Sequence, residues 1–243
     1  MTAALKPVSR QSLSESVYLQ LQDKIVRGEF APESPLPSER ALSEAMAVNR
    51  GAVREAIKRL QQAGLVAVRQ GGNHTIRDYE SEAGLELLPA LLVDARGRLD
   101  VGVLRSIMAM RSALAPEIAA AAAEKGGTML ASDLDVLLAQ MRANDRDLPR
   151  LQTLVFDFWK ALVIASANIA FRLAFNSMTK TYLQAWDAIR TTLEPELRDI
   201  RNLRAIAAAV RARDARAARA AARRHIEIGR AAMDRALGAQ GER

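Results

Sequence analysis

The 243-residue sequence predicts a mainly α protein in two parts: an N-terminal unit of three helices and one small β-hairpin, residues 1–78, and a C-terminal antiparallel helical bundle, residues 79–243. Three observations predict it. Apolar residues recur at helical spacing, in short runs before residue 63 and in long runs after residue 100. One stretch, VAVRQGGNHTIRD, alternates instead, about the pair Gly71-Gly72. Aromatic residues make up only 4% of the chain while alanine is abundant, a composition that suits helices.

Residues 1–11 carry Lys6, Pro7 and Arg10 without apolar periodicity and read as a polar arm. From Leu13 to Gly28 a first helix is expected, with Val17, Leu21 and Ile25 at every fourth position. Ser38 can cap a second helix whose Leu42 and Met46 share its buried side, and Ala47-Val48 forms a turn. Asn49 can cap a third helix, in which Val53, Ala56, Ile57 and Leu60 make the apolar face. Its opposite face is basic, with Arg50, Arg54, Lys58 and Arg59. Gly64 suits a left-handed helix stop. Val66 and Val68 then pair with Thr75 and Ile76 across Gly71-Gly72, which sets Arg69, Gln70 and His74 at or beside the hairpin tip.

Helix, helix, turn, helix and hairpin in that order make a winged helix-turn-helix, whose second motif helix enters the major groove by its N-terminal residues. An arginine fork matches the paired acceptors of guanine, so Arg50 and Arg54 are the candidates for base contacts. Asn49 and the first N–H groups of the helix suit phosphate or adenine, Lys58 suits phosphate, and Gly51 lets the helix approach closely. On periodicity alone, an amphipathic helix pair with a solvated basic face explains the same residues; the hairpin that follows favours the winged motif. A formal charge of +7 and a pI near 10.2 agree with a polyanionic partner such as double-stranded DNA.

The chain contains no cysteine, which excludes disulfides and thiolate metal sites and fits the cytoplasm. No signal peptide or charge-free transmembrane stretch is present, so no membrane association is expected. Glycine-rich phosphate loops, nucleophile motifs and informatively spaced carboxylate pairs are missing from the sequence, which argues against an enzyme.

Residues 78–84 read as a linker, and LELLPALLVD as a short segment interrupted by Pro89. Helices are then expected over 101–124, 129–144, 148–167, 169–190, 194–211 and 214–237, with breaks at Gly126-Gly127, Asn144-Asp145 and Ala167-Asn168. The terminal run RARDARAARAAARRHIEIGRAAMDR is arginine-rich, but Ala and Ile recur between the charges, so it reads as a bundle helix with a solvated basic face.

The N-terminal residues resemble the DNA-binding domain of the GntR family of bacterial transcription regulators. The resemblance spans residues 17–78 and rests on IVRGEF, the LPSER turn, the helix NRGAVREAIKRLQQAGL and the wing start VRQGG. It implies contacts to DNA from Arg40, Arg50, Arg54 and Gly71, and a homodimer on a two-fold symmetric operator. Glu33 departs from the family, which has glycine after the proline.

In the bundle, FDFWKALVIASANIAFRLAFNSMTKTY, GLELLPALL, MAMRSALAPEIA and VRARDARAARAAARRHIEI resemble the effector domain of the FadR-type branch of the same family. The resemblance implies a metabolite-controlled regulator in which one aspartate and three histidines hold a metal. Here those positions fall at Val155, Trp159 and Leu203, leaving only His225, so neither metal nor other cofactor is expected. The resemblance to fatty-acid-responsive members implies an apolar site instead, lined by Arg111, Val155, Trp159, Phe175, Tyr182, Leu203 and His225, with acyl-CoA as effector. Core packing explains the same aromatics as a plain alternative. A metal-independent regulator of small organic-acid or sugar-acid metabolism, and a lipid- or CoA-ester-binding enzyme or carrier, are the competing functions.

Overall fold

The computed structural model describes residues 13–68, 73–94 and 97–241. They form two compact units, residues 1–98 and 99–243.

In the first unit, α1 (Leu13–Val26), α2 (Glu39–Ala45) and α3 (Arg50–Gln62) surround one core, and β1 (Val66–Val68) pairs antiparallel with β2 (His74–Ile76). The expected caps form: Ser38 Oγ accepts from Ala41 N at 3.2 Å and Asn49 Oδ1 from Ala52 N at 2.9 Å. Val17, Leu21 and Ile25 of α1 meet Val53, Ala56, Ile57 and Leu60 of α3, closed by Leu42, Val66 and Ile76. Met46 is only half-buried. The hairpin register is Val66↔Ile76, Ala67↔Thr75 and Val68↔His74. Its expected turn at Gly71-Gly72 lies outside the described residues, as does the N-terminal arm.

The expected linker has structure of its own. Asp78 caps a single turn, α4 (Tyr79–Glu82), and a 3-10 turn (Leu85–Leu87) leads into α5 (Leu88–Leu92). Pro89 does not interrupt this segment: it sits in the first turn of α5, where its missing N–H costs nothing. Leu87 is buried in the core of the first unit, with Tyr79, Ala83, Ala90 and Leu91 packed against it. The described residues of 79–98 therefore group with the helix-turn-helix, through Tyr79, Ala83, Leu87, Ala90 and Leu91, rather than with the bundle to which the sequence reading attaches them.

The second unit is built on α6 (Val101–Ala143), against which α7 (Leu148–Ala165), α10 (Ile200–Ala212) and α11 (Ala215–Gly241) all pack. The expected break at the glycine pair is present within α6. Gly127 takes φ 66° and ψ −161°, a sharp kink between two helical halves that a side chain would oppose. The segment expected as one helix from 194 divides into α9 (Glu194–Leu197) and α10, because Asp199 takes the cap position and its carboxylate accepts from Asn202 N at 3.3 Å. Only Thr181, Ala185 and Ile189 are buried on α8 (Ile169–Arg190), leaving it the least embedded long helix of this unit. No described helix is long and apolar enough to cross a membrane.

Candidate nucleic-acid interface and effector pocket

The Asn49 cap fixes the start of α3: its Oδ1 accepts from Ala52 N while the residue stays exposed. A Cβ on Gly51 would stand 3.2 Å from Asn49 Oδ1, so the glycine gives this cap room as well as keeping the helix end thin. Arg50, exposed in the first turn, forms no ion pair among the described residues. Arg54, one turn on, is held by α2: its Nη2 and Nε donate to Glu39 Oε2 and Oε1 at 3.1 and 3.3 Å. That bond draws the Glu39 carboxyl below its ordinary pKa. Lys58 pairs with Glu55 at 2.8 Å and Arg40 with Glu44 at 2.8 Å, both on the surface.

Arg59 does not belong to this basic face. Its guanidinium lies 4.1 Å from the Tyr18 ring centroid and binds both oxygens of Glu15, tying α3 to α1. His74 faces Gln61 Nε2 at 3.5 Å from the strand position opposite Val68. Arg69, Gln70 and Gly71 lie outside the described residues.

The second unit contains a cavity of about 90 Å³ between α6, α7 and α8. Five of the seven expected effector residues line it: Arg111, Val155, Trp159, Phe175 and Tyr182. Phe171, Met178 and Trp186, which continue the helical spacing of Phe175 and Tyr182, and Phe156, which the sequence did not single out, complete its apolar wall. Phe156 stacks on Phe175 with ring centroids 5.2 Å apart and meets Trp186 edge-on at 6.0 Å. Leu203 is fully buried on α10 and is not part of the lining. His225, also fully buried, sits behind the wall, its ring centroid 6.0 Å from that of Trp159.

A polar network closes one end. Both oxygens of Glu196 accept from the Arg111 guanidinium, Nη1 to Oε2 at 2.8 Å. Burial opposes the charge on Arg111, but the Glu196 carboxylate outweighs it and holds the pKa above the ordinary arginine value. Burial pushes the Tyr182 hydroxyl up to about 12, so it stays a neutral phenol. His225 Nδ1 meets Asp199 Oδ2 at 3.0 Å and its Nε2 lies 3.6 Å from Glu196 Oε1. Burial tends to raise the Asp199 pKa, yet its hydrogen bonds from His225 and Asn202 leave it below the ordinary value.

Glu196, 1% exposed, is the central residue the sequence reading missed. A signal existed in Gly229, a glycine inside the alanine-rich α11: a Cβ there would overlap the Glu196 carboxylate. The residues do not fit a metal. Val155, Trp159 and Leu203 have no ligating atom for one, His225 is bonded through Nδ1, and among the described residues no group of three His, Asp or Glu could hold an ion.

A helix-turn-helix with a two-stranded wing, followed by a helical unit with an apolar pocket, defines a DNA-binding regulator with a built-in ligand domain. The chain belongs to the GntR family: residues 13–76 match the model described as bacterial regulatory proteins, gntR family, and residues 106–228 match the FCD domain. The HTH-type transcriptional regulator Mce2R of Mycobacterium tuberculosis is 42% identical over 192 residues, 78% of each chain. A fatty acid metabolism regulator protein of Pectobacterium carotovorum is 26% identical over 162 residues, 67% of this chain and 66% of that one. Among solved structures, Lar, described as controlling the Listeria monocytogenes agr system, covers 94% of this chain and 99% of its own at 17% identity and a TM-score of 0.59, a likeness of fold.

Proposed function

We propose that the protein binds a two-fold symmetric operator as a homodimer, and that a metabolite with a hydrocarbon chain, a fatty acyl-CoA as first candidate, controls that binding from the pocket of the second unit. Arg50 and Arg54 read base edges, Arg40 meets phosphate or base, Asn49 and the N-terminus of α3 meet phosphate or adenine, Lys58 meets phosphate, and Gly51 permits close approach. Arg69, Gln70 and Gly71 carry the wing contact.

One observation carries the effector reading. Val155 and Trp159, standing where the family resemblance implies metal ligands, line a cavity with Phe156, Phe175 and Trp186. An organic acid held through a metal has no ligands there; a hydrocarbon has a wall. The name of the Pectobacterium relative points to the same chemistry. The cavity of about 90 Å³ is smaller than the roughly 300–1,000 Å³ of small-molecule sites, so a chain enters by moving a wall outward. With few buried residues, α8 is the wall that yields.

Genomic fragments retained by the purified protein supply the operator. Anisotropy of that DNA is then followed against acyl-CoAs of increasing length and against small hydroxy and sugar acids. Each methylene entering the pocket adds about 0.8 kcal/mol, so potency climbs with chain length until the pocket is full. Release by a small acid that requires added metal overturns this reading.

A further inference from the structure

We infer that the pocket recognises an uncharged acyl carbonyl, as in an ester or thioester, and rejects the free carboxylate of the same chain. The inference rests on the effector reading above and narrows it to one chemical form.

Two observations at the polar end of the cavity carry it. Arg111 is the one cation among the lining residues, and its charge is already matched, both oxygens of Glu196 accepting from its guanidinium. Glu196 is held there by shape as well as charge, since its carboxylate occupies the space a side chain at position 229 would fill. An incoming carboxylate either joins Glu196 as a second buried anion on one cation or displaces it, stranding a buried anion beside Asp199, 9% exposed at its side chain and already engaged with His225. The Trp159 indole is the second observation: the residue is 7% exposed, lines the cavity, and its Nε1–H is buried without an acceptor. A buried donor left without a partner is a standing cost that one neutral acceptor removes. A carbonyl oxygen supplies the acceptor without adding charge, and the chain attached to it meets Val155, Phe156 and Phe175.

The chain has two tryptophans, and both, Trp159 and Trp186, line this cavity, so intrinsic fluorescence reports its occupancy directly. The full-length protein is titrated with decanoate, methyl decanoate and decanoyl-CoA, with operator release followed separately by anisotropy. The ester and the thioester are expected to bind at least about tenfold more tightly than decanoate, the equivalent of one unpaired buried polar group. Trp159→Phe weakens the ester by about tenfold while Trp186 still reports binding. Gly229→Ala evicts Glu196 from Arg111 and shifts preference toward decanoate; Glu196→Gln, which keeps the side-chain shape, does the same if the alanine variant does not fold. Decanoate binding as tightly as the ester to the unaltered protein, or an unchanged ester affinity in Trp159→Phe, overturns the inference and leaves the sensor reading standing. Tight ester binding that fails to alter operator affinity overturns the sensor reading alone, and silence of the tryptophans toward all three probes overturns both.

Discussion

Glu39 at the start of α2 holds Arg54 of α3 by two hydrogen bonds, 3.1 and 3.3 Å, across the turn of the helix-turn-helix. The guanidinium expected to read a base is thus oriented by a carboxylate on the neighbouring helix before DNA arrives. Such orientation lowers the entropy lost on binding, while the negative charge of Glu39 opposes the phosphates. Glu39→Ala is therefore expected to raise affinity for random DNA and to lower the ratio of operator to random binding. Arg54→Ala and Arg50→Ala each cost about 1–3 kcal/mol on operator and relax preference at one base pair, whereas Lys58→Ala weakens all sequences alike. Anisotropy titrations on operator and scrambled duplexes measure all four, and an unchanged ratio in Glu39→Ala removes the orienting role.

A second prediction concerns Glu33, whose φ of 62° lies in the left-handed region. A residue with a Cβ spends about 1–2 kcal/mol there, and glycine, at ease in that conformation, gives back about 0.5–1 kcal/mol through its freer unfolded chain. Glu33→Gly should stabilise the first unit by up to about 1 kcal/mol. Urea denaturation shows whether the midpoint rises; a fall means that the Glu33 side chain contributes more than its backbone costs.

The boundary between the units yields a third. Leu87 is 2% exposed within the core that contains Leu21, Ile25 and Leu65. Leu87→Ala is expected to cost the first unit about 2–5 kcal/mol. A fragment ending at residue 98 should unfold at higher urea than one ending at residue 78, which loses that side chain altogether. Equal midpoints would falsify the assignment of 79–98 to the first unit.

These three cases also mark what was legible in the sequence. The helix-turn-helix could be read because its signals are local: Ser38 and Asn49 cap within three residues, and the apolar faces repeat within one helix. The partners that orient its charges, Glu39 for Arg54 and Glu15 for Arg59, come from other helices, and periodicity carries no record of them. The aromatic wall was legible for the same reason as the caps, Phe175 and Tyr182 lying on one stretch of one helix. Glu196 was not, because its importance comes from Arg111 and Gly229, 85 residues before it and on a later helix. Asp199 was hidden inside a segment read as continuous helix, although an aspartate that caps is also what ends such continuity.

The last prediction concerns metal. His225 is the one histidine in the bundle, and its Nδ1 is bonded to Asp199 at 3.0 Å. Capturing an ion requires breaking that contact or using Nε2, which faces Glu196 at 3.6 Å while Glu196 is engaged with Arg111. Asp199 and Glu196 are thus already spent on other partners, and the remaining positions are Val155, Trp159 and Leu203. An ion that bound the folded protein at a hundred times its Kd would add about 2.7 kcal/mol of stability, a shift easily seen in a melting curve. Neither zinc, nickel nor manganese should raise the melting temperature, and a chelator should not lower it. His225→Ala tests the same point from the other side: it is expected to destabilise the bundle equally with and without added metal, because what it removes is the link between α11 and the Asp199 cap. A metal-dependent rise in melting temperature that vanishes in His225→Ala would mean that the bundle has kept an ion site built around that histidine.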